Sequence, residues 1–342
     1  MKSAKKGPRV CRRLAICLAI CLGLLAVFAV AGCAMMAMPG KSYSGPLPLI
    51  TPDQTAMAKA MQADLHELSV TIGPRNIHDP EKLAESADYI EDAFRSAGYL
   101  PQRQTYTVYG VNCANIEVEI LGSSSPSEIV IVGGHYDTRP GTVGADDNGT
   151  GTVATLALAR RFAGSSPART LRFVAFVNEE PPYFQADTMG SLMYAKRAHE
   201  RGENIVAMIS LECIGYFSDS PDSQAYPAPF SLFYPSTGNF IAFVGNYESR
   251  KLVRRVVREF RDNASFPSEG LAAAGALPGI GWSDHWGFWQ YDYPALMVTD
   301  TAPFRNPNYH RVTDTIDTIQ FDKLARIVDG LHPVIASLAL VP

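Results

Sequence analysis

What this 342-residue chain has little of narrows its identity before any motif is read. Cysteine is scarce where it would count. Of six, Cys11, Cys17, Cys21 and Cys33 fall in the first 33 residues, and only Cys113 and Cys213 remain for the rest. That excludes a disulfide-built scaffold. The two thiols either form one bridge in an oxidising compartment or stay free and buried. Positive charge is scarce as well. Beyond residue 33 the Lys and Arg count falls from 30 to 24 while the acids stay at 34, a net charge near −10 with His neutral. Such a body lacks the basic footprint that nucleic acid requires. There is no internal repeat and no long low-complexity run. What is present is 46% hydrophobic residues against 19% charged, ample for a large core in one big α/β domain or two smaller ones.

The first 33 residues are a separate object. Lys2, Lys5, Lys6, Arg9, Arg12 and Arg13 precede an unbroken apolar stretch from Leu14 to Ala31. A basic segment followed by an apolar one reads as a secretory signal or a signal anchor. The stretch ends in Val30-Ala31-Gly32-Cys33, which resembles a bacterial lipobox and implies cleavage before a lipid-modified Cys33. The alternatives are an uncleaved membrane anchor or plain secretion. All three place the body outside the cytoplasm, held at the membrane by a lipid or an anchor in the first two. Residues 34–52, with a Gly-, Ser- and Pro-rich stretch from Gly40, read as a tether. Residues 53–342 then form the domain.

Periodicity predicts helices over Ala56–Val70 and Glu81–Ala97, the second stopped by Gly98. Gln104–Tyr109 and Cys113–Leu121 read as a hairpin, followed by a loop at Ser123–Ser127. An alternation follows. Strands are expected at Glu128–Gly133, Thr170–Val177, Ile205–Leu211, Phe240–Val244 and Tyr293–Val298. Helices are expected at Asp147–Phe162, Thr188–Arg201, Glu248–Asp262 and Phe321–Leu338. This rhythm predicts a single α/β domain with a mixed, mostly parallel sheet covered by helices on both faces. In such sheets ligands bind beyond the carboxyl ends of the strands.

The chemistry-bearing residues cluster at those ends. His135 follows a strand through Gly133-Gly134, with Asp137 two residues on and able to fix the imidazole. Asp146-Asp147-Asn148-Gly149 serves either as a turn and helix cap or as a carboxylate bridging two metals from a rigid helix start. Glu179-Glu180 follows a strongly apolar run. It is either a solvated pair or a pair in need of a cation. Glu212 ends the next strand, and Tyr309-His310 lies near the C-terminus. Two histidines and several carboxylates suit divalent metals, with one carboxylate left over as a base. Ser283-Asp284-His285 sits among Trp282, Trp286, Phe288 and Trp289. There Asp284 reads as a residue behind the site or facing substrate.

Gly-Gly-His135-Tyr-Asp137-Thr, Gly-Ala-Asp-Asp147-Asn-Gly-Thr-Gly, Asn-Glu179-Glu180, Ser-Leu-Glu212-Cys-Ile-Gly-Tyr and Tyr309-His310 occur in the order of the co-catalytic di-zinc exopeptidases. From about Leu65 onward the chain resembles that family, which includes secreted leucine aminopeptidases, aminopeptidase Y and glutamate carboxypeptidase; glutaminyl cyclases are relatives. The resemblance implies two zinc ions and a peptide substrate. His135 and Glu212 would hold one ion, Glu180 and His310 the other, and Asp147 would bridge them. Glu179 would be the general base, Asp137 would orient His135, and Tyr309 would face the developing oxyanion. Two features depart from the family. Glu212 stands where many members have Asp, and Pro181–Gly190 is longer and more aromatic than the usual turn. The expected activity is removal of N-terminal residues from peptides. The alternatives are a single-zinc glutaminyl-peptide cyclotransferase-like acyltransferase or an inactive peptide-binding lipoprotein. Side-chain preference and oligomeric state are not legible in the sequence.

Overall fold

The computed structural model describes residues 35–340 together with positions 13, 16, 23 and 32. Cys33 and most of the segment expected as a signal lie outside the described residues. The chain divides into a short unit, residues 1–37, and a body, residues 38–342. Among the described residues no helix is long and apolar enough to cross a membrane.

Local chemistry sets the first elements of the body. Helix α1 (Pro52–His66) opens with a capping box: Thr51 and Gln54 exchange side-chain-to-backbone hydrogen bonds, both 3.1 Å, and Pro52 takes the first helical position. It runs on into a wide π-type turn, Glu67–Ile72. Helix α2 (Pro80–Ser96) ends where Gly98 adopts φ +91°, which lets Gly98 and Tyr99 donate back to Arg95 and Phe94. The expected hairpin follows as β1 (Gln102–Val108) and β2 (Val111–Ile120), paired antiparallel.

The alternating part comprises β3 (Ser125–His135), α3 (Gly151–Phe162), β4 (Arg169–Phe176), α4 (Gly190–Glu200), β5 (Asn204–Glu212), β6 (Ile241–Asn246), α5 (Arg250–Asn263), β7 (Ser268–Ala273), α6 (His285–Trp289), β8 (Ala295–Thr299), α7 (Ala302–Arg305) and α8 (Phe321–Ala339). All eight strands form one sheet in the order β1-β2-β4-β3-β5-β8-β6-β7. Its centre, β4-β3-β5-β8, is parallel, as is β6-β7. The β1-β2, β2-β4 and β6-β8 pairs are antiparallel. Strand β7 is an addition to the expected set, and β3 starts earlier than expected, taking in part of the Ser123–Ser127 loop across an irregularity before Ile129.

Both faces of the sheet are buried, which is why β3 reads as continuous apolar sequence rather than alternating. Val130 and Val132 join the larger core under α1, α2, α3, α5 and α8. Ile129 and Ile131 join a smaller core with Tyr194, Ala195 and Phe288, under α4 and α6. That second cover is short: α4 and α6 reach the middle of the sheet. Farther along, over β6 and β7, the same face is covered by loops and the short α7, which roof a cavity instead of filling it. From residue 38 onward, the segment expected as a tether packs as part of the body. Met38 and Leu47 pack on the larger core, Ser42 accepts from the Ser268 amide at 2.8 Å, and Arg326 donates to the Pro48 carbonyl at 2.7 Å.

Candidate active site

Three parallel strands deliver the site. At the end of β3, Gly133 and Gly134 are squeezed between neighbours. A Cβ on Gly133 would lie 2.1 Å from the Val174 carbonyl oxygen, and one on Gly134 2.5 Å from that of Leu211. Only glycine passes there, and His135 is the next residue. Glu179 and Glu180 follow β4, where the Asp137 carboxylate accepts from both of their amides at 3.1 Å each. Glu212 is the last residue of β5.

Asp147 arrives differently from the expectation. It does not open a helix. Asp147 (φ −105°, ψ 93°) and Asn148 (φ −122°, ψ 46°) are non-helical, and α3 starts at Gly151. Side chains from elsewhere impose this path. Asp314 accepts from the amides of Asp146 and Asp147, at 2.9 and 3.1 Å. Asn148 donates to the Leu211 carbonyl at 2.8 Å and accepts from the Cys213 and Gly151 amides. Arg75, fully buried, binds the backbone oxygens of Tyr136, Val143 and Gly144, tying the His135 strand end to the loop before Asp147. Burial pushes its guanidinium down to about 10 against the pull of Asp314, Asp137 and Asp147.

The five residues expected as metal ligands converge. His135 Nε2 lies 3.3 Å from Glu212 Oε2 and 3.6 Å from Asp147 Oδ1. His310 Nε2 lies 3.1 Å from Asp147 Oδ2 and 3.2 Å from Glu180 Oε2. Two donor triads result, His135–Asp147–Glu212 and Asp147–Glu180–His310, each with its ligand atoms within 4.8 Å of one another. Asp147 belongs to both, one oxygen toward each histidine. Glu179 belongs to neither, yet its Oε2 is 3.7 Å from His135 Nε2.

The chemistry of this cluster fits a cation. His135 Nε2, Asp147 Oδ2 and both Glu180 carboxylate oxygens are buried with no hydrogen-bond partner. Buried orphan acceptors of this kind are costly unless something pairs with them. Imidazole and carboxylate together form a donor set suited to zinc. Electrostatics agrees. Burial opposes a charged His135, but Glu212 and Glu179 outweigh it and raise its pKa well above the usual value. Burial also opposes a charged His310, which Asp147 and Glu180 nonetheless hold up at about 9. Glu180 rises to about 7 through burial and the Asp147 charge, against His310. Glu179 rises well above its usual range, through burial first and then Glu212, Glu180 and Asp284.

The remaining expected residues fall around this centre. The Asp137 backbone oxygen is 3.1 Å from His135 Nδ1 and its carboxylate 3.4 Å, so the carbonyl makes the closer contact with the ring and the carboxylate chiefly shapes the Glu179-Glu180 turn. Tyr309 stacks on His310 with ring centres 3.9 Å apart. Asp284 is buried with both oxygens unpartnered, and burial lifts it to about 7. It caps no helix amide. Cys113 and Cys213 are both buried and free. Arg75, Asp314 and the role of Asn148 were not legible in the sequence. Asp314 had a weak signal, an acid four residues after the last histidine of the pattern. Ser283 also has a specific task, donating to Glu212 Oε2 at 2.8 Å.

Two cavities flank the centre. The larger, about 830 Å³, runs from Glu212, Cys213 and Tyr309 across the loop-roofed face of β8, β6 and β7. The smaller, about 200 Å³, is on the Glu180 side and includes Pro181 and Tyr183 of the long loop after Glu180.

Residues 115–335 match the family model described as Peptidase family M28. The chain is 35% identical over 285 residues to "Uncharacterized protein YfbL" of Escherichia coli (strain K12), covering 81% of this chain and 87% of that protein. It is 27% identical over 267 residues to Leupeptin-inactivating enzyme 1 of Streptomyces exfoliatus, covering 75% of this chain and 58% of that protein. The fold is similar to that of BSAP, a zinc aminopeptidase from Bacillus subtilis, with a TM-score of 0.67 at 15% identity over 86% of this chain and 96% of the other. It is similar also to Porphyromonas gingivalis glutaminyl cyclase, with a TM-score of 0.62 at 18% identity over 82% and 98%.

Proposed function

The chain belongs to peptidase family M28, and from that premise we propose that it is an aminopeptidase that releases N-terminal residues from peptides at a two-zinc centre. One observation carries the reading: two donor triads share Asp147, and a sixth acid, Glu179, stands beside them outside both. His135 and Glu212 would hold one ion and Glu180 and His310 the other, with Asp147 between. When bound, such ions polarise a peptide carbonyl and acidify water.

The chain's own residues supply the rest. Glu179 is free of either triad, so it is available to take a proton from the attacking water and pass it to the departing amine. Its place beside His135 Nε2, 3.7 Å away, keeps its carboxylate next to the centre while leaving it outside both donor sets. Asp137 keeps Glu179 and Glu180 facing different ways by binding both amides, which lets adjacent acids do different work. Ser283 and Asn148 hold the Glu212 arm, which allows the longer side chain to serve where a shorter acid is common in the family. Tyr309, which packs on His310 and lines the larger cavity, would be the oxyanion donor.

The test is metal analysis of the purified protein combined with hydrolysis of free and N-blocked peptides. Two zinc ions per chain and cleavage of free peptides alone support the reading. One zinc with cyclisation of N-terminal glutamine would replace it by the acyltransferase alternative. We further propose that Cys33 carries a lipid that anchors the enzyme outside the cytoplasm, with Cys33→Ser expected to abolish incorporation of labelled fatty acid. Persistent labelling would rule that anchor out.

A further inference from the structure

The larger cavity is apolar nearly throughout, and one charged side chain on its wall is remote from the metal ligands. Along the sheet, Glu212 pairs with Thr299, Thr299 with Ala242, and Ala242 with Glu269. All four residues line the cavity. They form one row across β5, β8, β6 and β7, so Glu269 stands three strand spacings from Glu212, about 14 Å between backbones. The floor between is Thr299, Ala242 and their neighbours Met297 and Val244, and the roof includes Tyr226 and Phe230.

Glu269 is only loosely provided for by the fold. Among the described residues no hydrogen bond reaches its carboxylate, and the side chain is only 23% exposed. Among the described residues its ionic partner is Arg261, 3.8 Å away and beyond hydrogen-bond distance, which also donates to the Ser268 carbonyl at 2.7 Å and the Pro39 carbonyl at 3.1 Å. The two phenols nearby are also committed elsewhere: Tyr234 donates to the Gly270 carbonyl and Tyr226 to that of Pro235. Burial raises the Glu269 pKa against the opposing pull of Arg261, as expected for an acid short of donors. An acceptor-only group in an apolar, aromatic-walled cavity is suited to a donor that brings a long apolar stem with it.

We propose that this cavity receives the side chain of the substrate's N-terminal residue and that Glu269 selects a cationic tip, so that the preferred substrates begin with arginine or lysine. The proposal rests on the aminopeptidase reading for its turnover arm and on the cavity alone for its binding arm. The turnover arm compares kcat/KM on the arginyl, lysyl, leucyl and phenylalanyl p-nitroanilides, using the full-length protein and its Glu269→Gln and Glu269→Asp variants. The wild type is expected to favour the two basic substrates. Glu269→Gln should lower their kcat/KM roughly tenfold, mostly through KM, because the contact is remote from the reacting bond. The leucyl value should change less than about twofold, and Glu269→Asp should recover part of the loss. A wild type that favours leucyl, with the basic-to-leucyl ratio unmoved by Glu269→Gln, would overturn the proposal. The binding arm titrates n-butylguanidinium and the neutral 1-pentanol by calorimetry. Tighter binding of the cation by wild type than by Glu269→Gln supports the proposal even if no anilide is cleaved, a result that would sink the aminopeptidase reading alone. Equal binding by both proteins overturns it.

Discussion

The carboxyl ends of β3, β4 and β5 and the open face of β8, β6 and β7 sit side by side on one sheet and treat polar groups in opposite ways. At the strand ends six acids and histidines are gathered, four of their buried atoms lack a partner, and second residues such as Asp314, Asn148 and Ser283 hold them in place. On the face beyond, the wall is largely apolar and its one remote acid, Glu269, is held among the described residues by an ion pair to Arg261 at 3.8 Å rather than by hydrogen bonds. The difference teaches where a sheet can place each kind of work. At a strand end the backbone leaves its ladder, and loops can bring amides and side chains from four directions to orient a charge. On a strand face the positions are fixed by pleat and register, so what varies is shape and apolar area.

If that division holds, substitutions at the strand ends should strike turnover and spare the fold, while those in the cores should do the reverse. The largest expected effect is Glu179→Gln, with a loss of about 100- to 10,000-fold in kcat/KM and zinc content unchanged. Near-wild-type turnover would remove Glu179 from its role and break the comparison at its chemical side. Next is Phe288→Ala. This fully buried ring fills the smaller core against Phe176 and Tyr194, and its removal should cost about 3–5 kcal/mol in denaturant unfolding. A loss under about 1 kcal/mol would mean that α6 is not anchored as the packing implies.

A third effect comes from pH. His285 is buried beside Trp289, binds the Ile280 carbonyl, and is held by burial at about 4 instead of 6.5. The folded state therefore binds this proton less readily than the unfolded chain. Its contribution is complete above about 6.5 and is lost as pH falls toward 4, an amount on the order of 3 kcal/mol. The unfolding free energy of His285→Gln should fall less steeply over that window than that of the wild type. Parallel curves would contradict the assignment. The smallest expected effect is Trp282→Ala at the cavity rim. That half-exposed ring stacks on Phe304, so stability should shift by no more than about 0.5 kcal/mol while KM for large side chains rises. A change in kcat with KM constant would move the rim into the chemistry.

Much of this was readable in the chain. The apolar runs before His135, Glu179 and Glu212 marked buried strands, and acids directly after such runs marked their ends. The edge strand Ser268–Ala273 was not readable, because Ser-Glu-Gly-Leu-Ala-Ala carries neither alternation nor β-branched residues. It is a strand because β6 offers it a ladder. The start of α3 was misplaced for a related reason. Asp-Asn-Gly-Thr has the composition of a helix cap, and it is remote partners such as Asp314, some 167 residues away and bound to the Asp147 amide, that hold the segment in another conformation. Arg75 gave no local signal, since its partners are backbone oxygens that carry no sequence identity.

The sequence by itself determined the strand order of the chemistry, the donor types and the spare glutamate, because residue type and the period of apolar runs are local properties. Only the tertiary structure decided that Asp147 turns one oxygen toward each histidine, and that Glu269 ends the same cross-strand row as Glu212. Those facts depend on register and loop path, which are set by contacts between residues far apart in the chain.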